Sequence, residues 1–150
     1  MKKVLLICLI FLSAIFLVGC GDTKEALNSE TFQEALKLKS FTVVDETTSV
    51  SDKESIVAYY VAAHPQGAYT LNFYVFKNEA AAQSYYVSER DRFGGQGSYN
   101  ELTVGNFSKY TQICNGKYGV VSRVGSTVLY ANVDSVYRNE LNTLLKEIGY

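Results

Sequence analysis

From Val4 to Val18 the chain carries no charged residue, and no unbroken apolar run of that length recurs after Cys20. Gly21 to Asn28 is a short polar stretch, and periodic sequence begins beyond it. Ser29 is placed to cap a helix over about Glu30 to Lys39, with Glu30 and Glu34 near its positive end. Phe32, Ala35 and Leu36 give that helix one apolar face. Phe41 to Glu46 reads as a strand and Thr47 to Ser55 as a polar connection. Ile56 to Ala63 is open to two readings. Ser51 and Glu54 have capping-box spacing, which favours a helix, whereas Ile56, Val57, Tyr59, Tyr60 and Val61 are strand formers in a short run. The sequence that follows favours a hairpin. His64-Pro65-Gln66-Gly67 has turn chemistry, and Ala68 to Phe76 alternates with Leu71, Phe73 and Val75 on one side. Asn78 then caps a helix over about Glu79 to Arg92, in which Ala82 and Tyr86, or Ala81 and Tyr85, point inward. Phe93 to Gly105 holds four glycines and reads as the longest loop. Strands are expected at Phe107 to Ile113, Lys117 to Val124 and Thr127 to Val133. They are joined by Asn115-Gly116, a strong hairpin signal, and by Gly125-Ser126, which suits a type II′ turn. Asp134 is placed to cap a last helix, in which Tyr137, Leu141, Leu144, Leu145 and Ile148 hold one face. Gly149 falls where a left-handed C-cap belongs, with Tyr150 able to fold back.

The elements run α-βββα-βββα after a signal helix, an α+β domain in two layers. The expected architecture is an antiparallel sheet of about six strands with helices on one face. The other face would then be open, and tyrosines could line it. Residues 41 to 92 and 107 to 148 share one order of elements, so the topology alone suggests a pseudo-repeat.

The first apolar run changes the picture. Met1-Lys2-Lys3 supplies a basic start, as in a secretory signal, and about fifteen apolar residues fall short of the roughly 20 that cross a bilayer. The run ends in Leu17-Val18-Gly19-Cys20, which resembles the lipobox of bacterial prolipoproteins. The resemblance implies a diacylglycerol on the Cys20 sulfur and cleavage after Gly19. It divides the chain into a signal peptide (1–19), a lipidated cysteine with a short tether (20–28) and one domain (29–150). The protein is then anchored by lipid to the outer face of the cell membrane, where two or three acyl chains hold stably and one does not. In layout it resembles the small lipoproteins of Gram-positive bacteria, a group that brings no assigned activity.

Composition narrows the chemistry. Losing Lys2 and Lys3 with the signal leaves twelve basic side chains against 15 acidic, with no basic run to meet nucleic acid. Cys8 leaves with the signal and Cys20 takes lipid, so Cys114 has no partner for a disulfide. The one histidine, His64, precedes a proline in a turn and reads as a solvated turn residue; any triad or histidine metal site would have to use it. No HExxH, CxxC or ligand-spaced carboxylate set is present, so neither metal nor cofactor is expected. Gly94-Gly95-Gln96-Gly97 lacks the lysine and the leading strand of a phosphate loop. Cys114 lacks an activating base. Asp45, Glu46, Asp91 and Glu101 are the carboxylates a glycoside hydrolase would draw on, and they lie at strand ends or in loops.

Tyrosine is the unusual feature, with twelve copies, all after Cys20, and no tryptophan. Its ring is apolar and its hydroxyl polar, which suits half-buried sheet and binding faces alike. Tyr59, Tyr60, Tyr85, Tyr86 and Tyr99 are the residues to watch. The expected role is a monomeric, non-catalytic binding module holding an envelope protein, glycan or peptide. An envelope assembly role is the alternative, and a carboxylate-based hydrolase is the least favoured reading.

Overall fold

The computed structural model describes residues 23–150, so the signal helix and Cys20 lie outside the described residues. Seven strands form one antiparallel sheet: β1 (Thr42–Asp45), β2 (Ile56–Ala63), β3 (Thr70–Phe76), β4 (Ser98–Val104), β5 (Phe107–Cys114), β6 (Lys117–Val124) and β7 (Thr127–Asp134). Their order is β1-β2-β3-β7-β6-β5-β4, two meanders meeting where β3 pairs with β7. The helices are α1 (Ser29–Leu38), α2 (Glu79–Arg92) and α3 (Arg138–Glu147), with single 3-10 turns at Thr47–Ser49 and Ser135–Tyr137.

Local chemistry explains most of these boundaries. Asn78 Oδ1 accepts from the Ala81 N–H at 2.9 Å and starts α2 as expected. For α1 the cap is Asn28, one residue before Ser29, accepting from the Thr31 N–H at 2.8 Å. Asn115 and Gly116 both take positive φ, the twist a two-residue hairpin needs. Gly149 has φ +90°, and the Tyr150 N–H reaches back to the Leu145 carbonyl at 2.7 Å. Asp134 makes no cap bond to α3; its carboxylate pairs instead with Lys117 across the strand end at 2.6 Å.

Two expectations are corrected. The first concerns strand number: β4 lies inside the stretch read as a glycine-rich loop. It pairs with β5 along its whole length, from Ser98 opposite Ile113 to Val104 opposite Phe107. All seven of its residues are exposed, so it carries no apolar alternation to announce it. The second concerns layers. Alternate residues of the sheet serve two cores, one on each face. Tyr60, Ala62, Leu71, Phe73, Val120 and Leu129 pack with Phe32 and Leu36 of α1 and with Leu141, Leu144 and Leu145 of α3. Phe76, Tyr110, Val121 and Val128 face the other way, onto Ala82 and Tyr86 of α2. The fold therefore has three layers, with α2 opposite the other helices. This also removes the pseudo-repeat. A two-fold axis relating antiparallel β3 and β7 must be normal to the sheet, and it would leave α2 and α3 on the same face.

The start of the described chain is held down. The Lys24 N–H donates to Asn106 Oδ1 at 3.0 Å and Asn106 Nδ2 donates to the Lys24 carbonyl at 2.8 Å. The Lys24 ammonium donates to the Gly149 carbonyl at 3.2 Å and lies 3.7 Å from the Phe107 ring centre. Ala26 and Leu27 pack against the larger core. Among the described residues no helix is long and apolar enough to cross a membrane.

Candidate binding surface

The α2 face of the sheet carries half of the aromatic side chains described, for a reason visible in the register. Tyr59 lies opposite Tyr74, Asn72 opposite Tyr130, Tyr130 opposite Val121, and Val121 opposite Tyr110, all with the same parity. α2 crosses this face over β3, β7 and β6 and divides the aromatics into two groups.

Beside β2 and β3, Tyr59 and Tyr74 stack with centroids 4.4 Å apart and planes 4° apart, and Tyr85 of α2 closes on Tyr74 at 4.8 Å. The Tyr59 hydroxyl donates to Asn72 Oδ1 at 2.7 Å. Burial pushes the hydroxyls of Tyr59 and Tyr74 well above their usual range and that of Tyr85 up to about 12. These three rings are half-buried and locked on one another.

Beyond the C-terminal end of α2 the second group forms a row. Phe93, the C-cap of α2, lies between Tyr110 at 5.7 Å and Tyr130 at 5.8 Å, with planes 27° and 23° from its own. Tyr99 of β4 continues the row, 5.9 Å from Tyr110 and tilted by 20°. Phe93 can lie this low because it covers Gly119; a Cβ at that position would meet the ring at 2.1 Å. Tyr110 is buried, whereas Tyr99 is 64% exposed, so the row runs from the interior to solvent. The loop after α2 is held against it, since Gln112 Nε2 bonds the Gln96 carbonyl and the Tyr110 hydroxyl donates to Gln112 Oε1 at 3.2 Å.

Polar groups flank the row. A cavity of about 440 Å³ is lined by Tyr99, Tyr110, Arg90, Asp91 and Glu101, with Gly94 and Gly95 at its edge. Arg90 reaches the Asp91 carboxylate at 2.8 Å and Glu101 at 3.2 Å. The Tyr86 hydroxyl also donates to Glu101 at 3.2 Å. Those two carboxylates hold the Arg90 guanidinium firmly protonated, above its usual value.

The residues singled out by sequence thus separate. Tyr99 lies on this surface, and Tyr86 and Glu101 stand behind it. Tyr85 and Tyr59 belong to the other group. Tyr60 is only 8% exposed and sits in the opposite core near Phe32, because its parity in β2 differs from that of Tyr59. Phe93, Tyr110 and Tyr130 went unnoticed, although the alternation in β5 and β7 would have placed Tyr110 and Tyr130 on one face. Asp45 and Glu46 sit by edge strand β1, while Glu101 lies on β4, the opposite edge of seven strands. At about 4.8 Å per strand that is roughly 29 Å, so the four carboxylates do not form one site.

His64 is not the solvated turn residue expected. Its side chain is 12% exposed, its Nε2 lies 3.1 Å from Glu140, and its Nδ1 accepts from the Gln66 N–H at 3.2 Å. Phe41, Tyr69 and Tyr137 surround the ring. It lines a cleft of about 480 Å³ between α3 and the β2–β3 turn. Both ring nitrogens are engaged within the fold, which suits a structural role better than proton transfer. Cys114 is half-buried at the end of β5 and free. Among the described residues no three histidine, cysteine, aspartate or glutamate side chains gather as metal ligands do.

No protein-family model and no curated protein sequence matches the chain. Among solved structures, a GTP binding regulator from Thermotoga maritima is similar over 81% of this chain and 87% of its own. The two share 17% identity with a TM-score of 0.46, too distant a likeness to bear on function.

Proposed function

We propose that this chain is a membrane-anchored extracytoplasmic lipoprotein, acylated at Cys20, whose domain is a non-catalytic module that binds an envelope glycan on the Tyr99–Tyr110–Phe93–Tyr130 row. The observation that supports it is the near-parallel set of rings opening to solvent at Tyr99. Apolar sugar faces stack on such rings, and sugar hydroxyls find partners in Arg90, Asp91 and Glu101 around the adjoining cavity. Arg90 bridges the Asp91 and Glu101 carboxylates, and Glu101 also accepts from the Tyr86 hydroxyl. Both carboxylates are thus tied into the fold's own hydrogen bonds, an arrangement that suits holding a ligand's hydroxyls better than the paired acid and base of glycoside hydrolysis. A peptide is the second reading, favoured by the free edge of β4, which an extended segment could extend as an eighth strand.

The test is retention of the purified protein on isolated cell-wall glycan. Tyr99→Ala should weaken it about tenfold, equivalent to 1.4 kcal/mol, with thermal unfolding unchanged. Equal retention of wild type and variant rules out the row as the site. In cells, Cys20→Ala should move the protein from the membrane fraction to the medium; if it stays with the membrane, the lipid anchor is wrong.

A further inference from the structure

We propose that the tip of the β4–β5 hairpin, through Leu102 and Val104, rests in the interface of the bilayer that carries the Cys20 lipid, and so holds the domain upright with its aromatic row pointing outward. This rests on the lipid-anchor reading above and on three observations that do not depend on it.

The first is where the described chain begins. Lys24 is clamped to Asn106 in the β4–β5 turn and to Gly149 at the end of α3. From Cys20 to Lys24 is four residues, which span at most about 14 Å when fully extended. The clamp leaves no flexible linker beyond that reach, so an anchor at Cys20 brings this end of the sheet to the headgroups. The second is what the end presents. Leu102 and Val104 are 51% and 47% exposed, and they lie on the same side of β4. Leu102 borders a cleft of about 250 Å³ with Arg138 and Asn142 of α3 on its far side, and Leu102 and Val104 both keep about half of their surface open. Lys109 lies directly opposite Leu102 in the register and is half-buried, placed to carry its stem along apolar surface and its ammonium to the phosphate level. The third is charge. Around the tip, Lys24 and Lys109 are joined by Glu25, next to Lys24 in the chain, and by Glu79 beside Gly125 of the β6–β7 turn. Charges of both signs thus flank it, and the contact is apolar and interfacial rather than an electrostatic footprint. Tyr99 stands five residues up β4 from Val104, about 17 Å further from the membrane at 3.3 Å per residue, and the Asn115-Gly116 turn lies at that same far end.

The experiment uses full-length, lipidated protein carrying Cys114→Ser, reconstituted in vesicles of phosphatidylcholine and phosphatidylglycerol. An environment-sensitive fluorophore is placed in turn at Leu102→Cys, Thr103→Cys, Val104→Cys and, at the far end, Gln66→Cys. Expected are blue-shifted emission and quenching by bilayer-embedded nitroxide lipid at 102 and 104, weaker effects at 103, and none at 66. High salt should not change the pattern. Protein that floats with the vesicles but shows the same solvent-exposed emission at all four sites overturns the docking and leaves the anchor standing. Protein that does not float removes the anchor and the docking with it. Shielding at 102 and 104 that grows with protein concentration and ignores the quencher would mean that β4 edges pair between copies, and would overturn the membrane contact.

Discussion

At the scale of single residues, neighbouring tyrosines do different work because a strand turns alternate side chains to opposite faces. Tyr60 fills the α1–α3 core near Phe32. Tyr60→Ala should cost about 3–5 kcal/mol, the range for removing a buried ring, as measured by denaturant midpoint; a loss under about 1 kcal/mol would contradict its placement. Tyr99→Ala should leave that midpoint nearly unchanged, since its ring is mostly in solvent. Gly119 gives a sharper test. Its backbone conformation is ordinary, so the objection to a side chain is space alone, and Phe93 Cε1 occupies the place of a Cβ at 2.1 Å. Gly119→Ala should therefore displace Phe93 and cost about 1–3 kcal/mol. Because the clash has one identified partner, Phe93→Ala should absorb most of that cost in the double variant. Additive effects would show that the alanine strains something other than this ring.

Among elements, β4 separates what sequence reveals from what it conceals. Strands β2, β3 and β5 were legible because burial imposes alternation, and β6 and β7, more deeply covered, because Asn115-Gly116 and Gly125-Ser126 mark their turns. β4 has no buried residue, so nothing selects its side chains by parity, and Gly94, Gly95 and Gly97 ahead of it read as loop. Helix faces were legible one helix at a time, but the side of the sheet each helix covers was not. Phe76 and Phe73 look alike in sequence; the structure sends one to α2 and the other to α1. Of the candidate surface, only Tyr99, Tyr86 and the two carboxylates stood out, since stacking between β4, β5, β7 and the end of α2 depends on a sheet order that spacing does not encode. What holds β4 beyond its ladder to β5 is largely Glu101, which receives Tyr86 and Arg90 from α2. Glu101→Ala should raise amide exchange across Ser98 to Val104 while β6 and β7 stay protected. Uniform protection in the variant would mean that the ladder alone fixes the strand.

For the molecule as a whole, the burial of tyrosine hydroxyls on both faces of the sheet makes stability sensitive to alkaline pH. Burial raises Tyr59, Tyr69, Tyr74, Tyr85, Tyr86 and Tyr150 above the ordinary tyrosine value of 10.0, Tyr85 to about 12. Above that ordinary value the unfolded chain loses these protons while the native chain keeps them. The native state then binds more protons, and the slope of unfolding free energy against pH is negative. The tyrosine contribution is complete below pH 10.0 and is lost as pH rises through the native values, at about 1.4 kcal/mol per pH unit for each retained proton. Lys24 and Lys109 oppose it. Burial lowers both, so their contribution grows as pH climbs through the lowered native values and is complete above their ordinary 10.5. Two lysines set against six tyrosines leave the balance with the tyrosines. Denaturant titrations from about pH 8 to 12 should therefore show a steep loss of stability beginning near pH 10, matched by a delayed rise in tyrosinate absorbance. Replacing Tyr74 and Tyr85 together by phenylalanine should make that loss shallower, because two of the retained protons disappear while the stacked rings remain. A slope equal to that of the wild type would place those hydroxyls in water and undo the packing described for that side of α2.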